Sequence, residues 1–299
     1  MRAAQAYYCM ILQGGHLLDK AGCAEYHHRH RNATLLRGMY PETIMLKFSA
    51  TQIDQFHNDG YLVLSALVPA SVCNVMRLIT HAHLDAAVEP LEYESEVGYP
   101  GAPSSLDAPG GRTVRRLRGA YRRHRCFSAW AGDPGVVTAV QQLLGEPACL
   151  TLAHHNCVMT KHPEFGSATG WHRDTRYWSF KRPELVCVWL ALGPENTDNG
   201  GLRFIPGSHR LEISPQQLDS LDFLRPEVPE NQTLLSKAVS ISLHPGDVVF
   251  FHSGLFHCAG RNTSNEIKAS IAFAYHGVSN TPHTGSKSAV AGSIALPLR

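Results

Sequence analysis

A chain of 299 residues, 43% hydrophobic and 17% charged, is long enough to bury a substantial core and too apolar to be disordered. A formal net charge of +2 gives no basis for a nucleic-acid partner, and no apolar run reaches the roughly 20 residues that a membrane-crossing helix needs. The eight cysteines form no CxxC pair and several sit inside apolar runs, which excludes a disulfide framework or zinc knuckle and fits a reducing, cytoplasmic setting.

Residues 1–44 stand apart, with a basic-histidine cluster (His27, His28, Arg29, His30, Arg31) and no sustained period. They read as an N-terminal extension outside the domain, and Met1 to Leu18 is too broken by polar residues for a signal peptide. From there, Ser49 and Gly60 bracket a short helix, Gly60–Leu64 reads as a strand, and Pro69 opens a longer helix with Val72, Val75, Met76, Ile79 and Leu84 near helical spacing. Residues 91–113 are rich in Gly, Pro and Ser and read as a loop. Arg112 to Arg125 holds seven arginines and reads as a solvated edge hairpin or, failing that, an anion site. Pro134–Leu144 makes a further helix stopped by Gly145.

Beyond residue 147 the pattern changes to short runs of Val, Ile, Phe, Tyr and Trp. They are Cys149–Thr160, Leu185–Leu192, Leu202–Ile205, Ala238–Leu243, Val248–His252 and Ala269–His276, divided by Gly, Asn and Pro turns. Many short strands with such turns predict a mainly β fold, a jelly roll or barrel with flanking α-helices, and not alternating βαβ units. The domain is expected over 45–285, with 286–299 as a C-terminal tail.

The chemistry centres on His172-Arg173-Asp174. Residues i and i+2 of an extended segment point the same way, so His172 and Asp174 can share one metal, with a third ligand supplied from elsewhere in the chain. Two histidines and a carboxylate on one face of an octahedron form the ligand set of non-haem Fe(II) oxygenases, which leaves positions for a cosubstrate and O2. An HxD triplet alone is weak in a chain with 18 histidines. Its surroundings are more specific: Asp198-Asn-Gly-Gly-Leu-Arg-Phe-Ile-Pro-Gly-Ser-His209 follows, and then Pro245-Gly-Asp-Val-Val-Phe-Phe-His252 and His257.

In this ordered set of motifs, over roughly residues 50–280, the sequence resembles the phytanoyl-CoA dioxygenase family. The resemblance implies a double-stranded β-helix (a cupin-like jelly roll), Fe(II) as cofactor and 2-oxoglutarate as cosubstrate. It also implies hydroxylation of an unactivated C–H bond of a small molecule by O2, with succinate and CO2 released. His252 and His257 compete as third ligand; the family pattern, in which the metal histidine shortly precedes an Asn, favours His257, ahead of Asn262. Where the family has an arginine for the far carboxylate of 2-oxoglutarate, eleven residues past that histidine, this chain has Lys268, and Ala259 stands where a small hydroxyl residue is common. Lysine lacks the planar fork, so Lys268 is expected as a point-charge anchor, with Arg203 and Arg261 as alternatives. Trp189 is expected to line the same pocket. Asp174 argues against halogenation, which needs a small residue there.

Two other readings remain: a cupin-like metalloenzyme that does not use 2-oxoglutarate, and a non-catalytic metal-binding protein of the same fold. The loop 91–113 and the segment 212–235 are expected to border the pocket, because long loops on a β scaffold carry specificity. Substrate identity and oligomeric state are not legible.

Overall fold

A computed structural model describes residues 46–296; the expected N-terminal extension, with its histidine cluster, lies outside the described residues. The chain enters through helix α1 (Ala50–Asp59), capped by a reciprocal Ser49–Gln52 box and ended by Gly60 at φ 84°. Strand β1 (Tyr61–Leu64) and helix α2 (Ala70–Asp85) follow. Next come β2 (Leu91–Tyr93), β3 (Val114–Arg118) and the helices α3 (Ala120–Arg123), α4 (Arg125–Ala131) and α5 (Pro134–Leu144). The β-rich half holds β4 (Ala148–Thr151), β5 (Asn156–Lys161), β6 (Thr169–His172), β7 (Leu185–Ala191) and β8 (Leu202–Phe204). It continues with α6 (Pro229–Leu235), β9 (Val239–Ser240), β10 (Val248–His252), β11 (His257–Ala259) and β12 (Lys268–Gly277). Within the expected tail, α7 (Lys287–Ala291) and β13 (Ser293–Ala295) form, and β13 pairs with β4.

Two antiparallel sheets result. The larger runs β1-β10-β7-β12-β5-β3-β2, with β4 and β13 attached beside β12; the smaller runs β6-β11-β8-β9. This is the expected jelly roll with flanking helices. The long strands of the larger sheet are buried on both faces, so they read as continuous apolar runs. Period two sorts them: Val186, Val188 and Leu190 of β7 and Ile271, Phe273 and Tyr275 of β12 face Trp130, Val140 and the other helix residues. Cys187, Trp189 and Ala191 of β7, with Ala272 and Ala274 of β12, face the smaller sheet and meet Leu202 and Phe204.

The Gly-Asp pair before β10 is structural. At Gly246, φ 94°, a Cβ would come 2.0 Å from the Val68 carbonyl oxygen, so only glycine fits. The Asp247 carboxylate accepts from the backbone N–H of Ala66 and His244, 2.8 and 2.7 Å away, and so pins the turn to the strand it feeds.

The arginine run corrects the expectation of a solvated edge. Strand β3 lies inside the larger sheet, between β2 and β5. Arg115 and Arg116 are buried, paired to Glu94 at 3.1 Å and Glu92 at 2.6 Å, while Arg123 donates to the carbonyls of Arg118, Val88 and Pro90. The acidic partners lie in the segment read as a featureless loop, and the composition of that segment hides them. No helix among the described residues is long and apolar enough to cross a membrane.

Candidate metal centre

Antiparallel pairing of β6 and β11 sets His172 directly opposite His257, with ring centroids 4.3 Å apart. Arg173 keeps an extended backbone (φ −107°, ψ 139°), so Asp174, the first residue of a 3₁₀ turn, returns to the side of His172. Arg173 itself points away. It donates to the carbonyls of Ser208 and Leu211 at 2.6 and 2.7 Å and stacks on Phe256, which clamps the Pro-Gly-Ser-His turn to the triplet.

All three side chains are buried, and their ligand atoms lie within 4.8 Å of one another. The Nε2 atoms of His172 and His257 stand 3.6 and 3.5 Å from Asp174 Oδ1. Each Nδ1–H donates to a backbone carbonyl two residues earlier, Gly170 at 2.8 Å and Leu255 at 3.0 Å. A carbonyl only accepts, so both rings carry the proton on Nδ1 and turn the Nε2 lone pair inward. Burial lowers the His257 imidazole to about 4, against the opposing pull of Asp174, which keeps it neutral and ligand-competent at neutral pH.

Asp174 Oδ1 is buried and has no hydrogen-bond partner. Leaving a carboxylate oxygen dry and unsatisfied costs about 1–3 kcal/mol or more, so an unfilled acceptor facing two lone pairs is the donor pattern of a cation site. The other oxygen, Oδ2, accepts from the Cys187 thiol at 3.4 Å and lies 3.3 Å from His155 Nδ1. Burial alone would raise the Asp174 carboxyl; the imidazoles of His155, His257 and His172 outweigh it and hold it well below the ordinary carboxylate range. These neutral nitrogen and carboxylate donors suit Fe(II). His155, Asp174 and Cys187 also lie close enough together to form a second candidate donor group.

His252, the rival third ligand, packs against His209 with ring centroids 5.0 Å apart, and its Nδ1 accepts from the Gly254 N–H. His154 has φ 57° and so does not alternate with His155; both rings turn to Tyr177, with centroids 3.6 and 6.0 Å away.

Lys268 and Trp189 are brought together in the interior, with the ammonium 5.0 Å from the indole centroid. Between them sits a residue that the sequence reading passed over. Glu195, fully buried, takes a 3.0 Å ion pair from Lys268, hydrogen bonds from Trp189 Nε1 at 3.0 and 3.2 Å, and one from the Ser270 hydroxyl. Lys268 also donates to Ser270 at 3.4 Å, so two of its three N–H donors are engaged. Nothing in the Glu195 neighbourhood of the sequence signals this. Cys187, read only as one of the buried apolar cysteines, did carry a signal, because it shares a strand face with Trp189 by simple alternation. Of the alternative cations, Arg203 stacks on Trp171 and Arg261 donates to the Glu164 carbonyl at the surface. Lys161 spends its ammonium on the carbonyls of Ser167, Ala259 and Gly260, and Thr160 donates to Val114.

The two long loops meet over His172. Tyr99 from the first and Phe223 from the second are in edge contact at 5.2 Å, and Tyr99 shares a 3.0 Å hydrogen bond with Tyr177. Phe223 and Tyr177 lie 5.6 and 6.0 Å from the His172 ring. Gly170 makes room for Phe223: a Cβ there would come within 2.6 Å of its ring.

Comparison with known proteins identifies the family. The family model described as phytanoyl-CoA dioxygenase matches residues 56–270. A probable phytanoyl-CoA dioxygenase of Caenorhabditis elegans is 24% identical over 244 residues, which is 76% of this chain and 75% of that protein. An ectoine dioxygenase of Bordetella bronchiseptica is 26% identical over 252 residues, 78% of this chain and 77% of its own. Among solved structures, EctD from S. alaskensis with 2-oxoglutarate and 5-hydroxyectoine superposes with TM-score 0.66 at 20% identity, covering 81% of this chain and 83% of that one. The epimerase SnoN in complex with Fe3+, alpha ketoglutarate and nogalamycin RO superposes with TM-score 0.62 at 18% identity, covering 83% and 94%. The chain belongs to the phytanoyl-CoA dioxygenase family, the non-haem iron, 2-oxoglutarate-dependent oxygenases that its ordered motifs resemble.

Proposed function

We propose that this protein hydroxylates an unactivated C–H bond of a small molecule, with His172, Asp174 and His257 holding Fe(II) and 2-oxoglutarate as cosubstrate. The observation that carries the reading is the unsatisfied Asp174 Oδ1, buried between two imidazole Nε2 atoms at 3.5 and 3.6 Å. Bound iron and 2-oxoglutarate supply the oxidation: O2 places one oxygen in succinate, CO2 leaves, and the other oxygen becomes the hydroxyl of the product.

The chain supplies the rest. Its two imidazoles and one carboxylate would hold the metal from one side and leave the other side for cosubstrate and O2. His155 and Cys187 fix the second carboxylate oxygen, so Asp174 offers only Oδ1 inward. Phe204, Phe251 and Trp178 wall the centre and keep it dry. The remaining N–H of Lys268 anchors the far carboxylate of 2-oxoglutarate beside Trp189, and the Glu195 pair holds the lysine in place. A full-sized carboxylate at Asp174 favours hydroxylation over halogenation.

The partners are then a small molecule and O2, with no nucleic acid: the most basic stretch turns Arg115 and Arg116 inward onto glutamates. Six cysteines among the described residues are free and buried, which supports a reducing compartment such as the cytoplasm. The domain proper is assigned from residue 45 and extends past the expected end at 285, because β13 pairs with β4 and Leu296 packs into the core. The test is O2-dependent release of succinate and CO2 from 2-oxoglutarate by the iron-loaded chain. The reading expects release in wild type and none in Asp174→Ala; equal release from both would refute the ligand assignment.

A further inference from the structure

Arg176 follows Asp174 by two residues, on the same 3₁₀ turn. The other arginines near the centre have acceptors on their terminal nitrogens, Arg115 from Glu94, Arg116 from Glu92 and Arg173 from two backbone carbonyls, although the Nε of Arg115 and of Arg173 is buried without a partner. Arg176 has no such acceptor. Its guanidinium carbon lies 5.1 Å from the Tyr177 ring centroid and 4.9 Å from that of Phe223, and its Nη1 is buried with no hydrogen-bond partner among the described residues. Both rings that sandwich it also rest on His172, at 6.0 and 5.6 Å. Tyr99 completes the group through its hydroxyl contact with Tyr177 and its edge contact with Phe223.

A desolvated guanidinium donor with no acceptor is unfavourable by itself, and stacking on aromatic faces compensates its charge but not its N–H groups. An oxyanion ligand satisfies both. We infer that Arg176, with Tyr99, Tyr177 and Phe223, forms the substrate subsite, and that the substrate is an oxyanion, a carboxylate or phosphate, joined to an apolar portion. The planar fork receives the oxyanion in two hydrogen bonds. The three rings take the apolar portion and lead it toward His172, where the carbon to be oxidised is presented. Two loops from distant parts of the sequence supply Tyr99 and Phe223, and the turn that carries Asp174 supplies Arg176, so recognition and metal share one element. This inference rests on the metal reading above.

The test is calorimetric titration of the full chain, loaded with Fe(II) and 2-oxoglutarate and kept anaerobic, with octanoate, octyl phosphate and neutral octanamide. Wild type, Arg176→Gln and Arg176→Lys are compared, and the visible iron–2-oxoglutarate band is recorded for each. The expected result is that at least one anionic probe binds wild type about tenfold or more tighter than octanamide, that Arg176→Gln removes this preference, and that Arg176→Lys keeps part of it. Which anion is preferred identifies the headgroup. The inference is overturned if wild type shows no preference for either anion over the amide, or if Arg176→Gln leaves that preference intact. It is also overturned if Arg176→Gln abolishes the band, which would make Arg176 a cosubstrate anchor. Absence of the band in wild type, with the arginine-dependent preference retained, would refute the metal reading and leave the anion subsite standing.

Discussion

The two faces of strand β12 follow different rules. Toward the helices it presents Ile271, Phe273 and Tyr275, almost entirely apolar, with the single hydroxyl of Tyr275 satisfied by the Ala131 carbonyl at 3.0 Å. Toward the smaller sheet it presents Lys268 and Ser270, which with Trp189 of β7 close on the Glu195 carboxylate. The outer face is packed for stability, and any residue of similar size and polarity would serve there. The inner face buries charges whose desolvation is only partly offset by their partners, a cost that a stability-optimised core would avoid. The difference shows that the fold is held from outside the barrel, which leaves the inside available for chemistry.

Substitutions on the two faces should therefore separate folding from function. The largest effect is expected for Asp174→Ala. Iron binding and succinate release should fall well beyond the ~10–100-fold that loss of a supporting partner costs, with thermal unfolding of the metal-free protein little changed. Loss of folding in that variant would break the contrast. Phe273→Ala, on the outer face, should lose about 3–5 kcal/mol in urea unfolding while the folded fraction keeps its iron affinity. A large drop in affinity would mean that the two faces are mechanically coupled.

Smaller effects sharpen the picture. His155→Gln releases one holder of Asp174 Oδ2 and should weaken iron about 10–100-fold in competition with a chelator. Unchanged affinity would assign the orientation of Asp174 to Cys187 and the backbone. The last effect concerns pH. Burial lowers His252 from 6.5 to about 4, so the unfolded chain takes up this proton first as the pH falls. Stability is then lost between about pH 6.5 and 4, and His252→Gln should lessen that loss by about 1–2 kcal/mol in denaturation midpoints at pH 7 and 5. Identical slopes in the two proteins would remove His252 from the balance.

The sequence made legible whatever depends on local pattern. The Ser49 cap and Gly60 stop mark α1, and alternation over Leu185–Leu192 puts Cys187 and Trp189 on one face. The HxD spacing makes His172 and Asp174 partners. Elements defined by a distant partner stayed hidden. Strand β2 is three residues long and exists because β3 pairs with it, and β13 because β4 does. Glu195 has no local signature, since its role comes from Lys268, which is 73 residues away in sequence. The arginine run misled for the same reason: Glu92 and Glu94 lie about two dozen residues upstream, in a stretch whose composition reads as loop.

The central claim is an iron site at His172, Asp174 and His257 that admits 2-oxoglutarate beside Lys268. Its most direct test is anaerobic titration of the Fe(II)-loaded full chain with 2-oxoglutarate, comparing wild type with Lys268→Ala by visible absorption. The account predicts a charge-transfer band that saturates at one cosubstrate per iron in wild type and needs more cosubstrate in the variant. Bound iron with no band in wild type would contradict it.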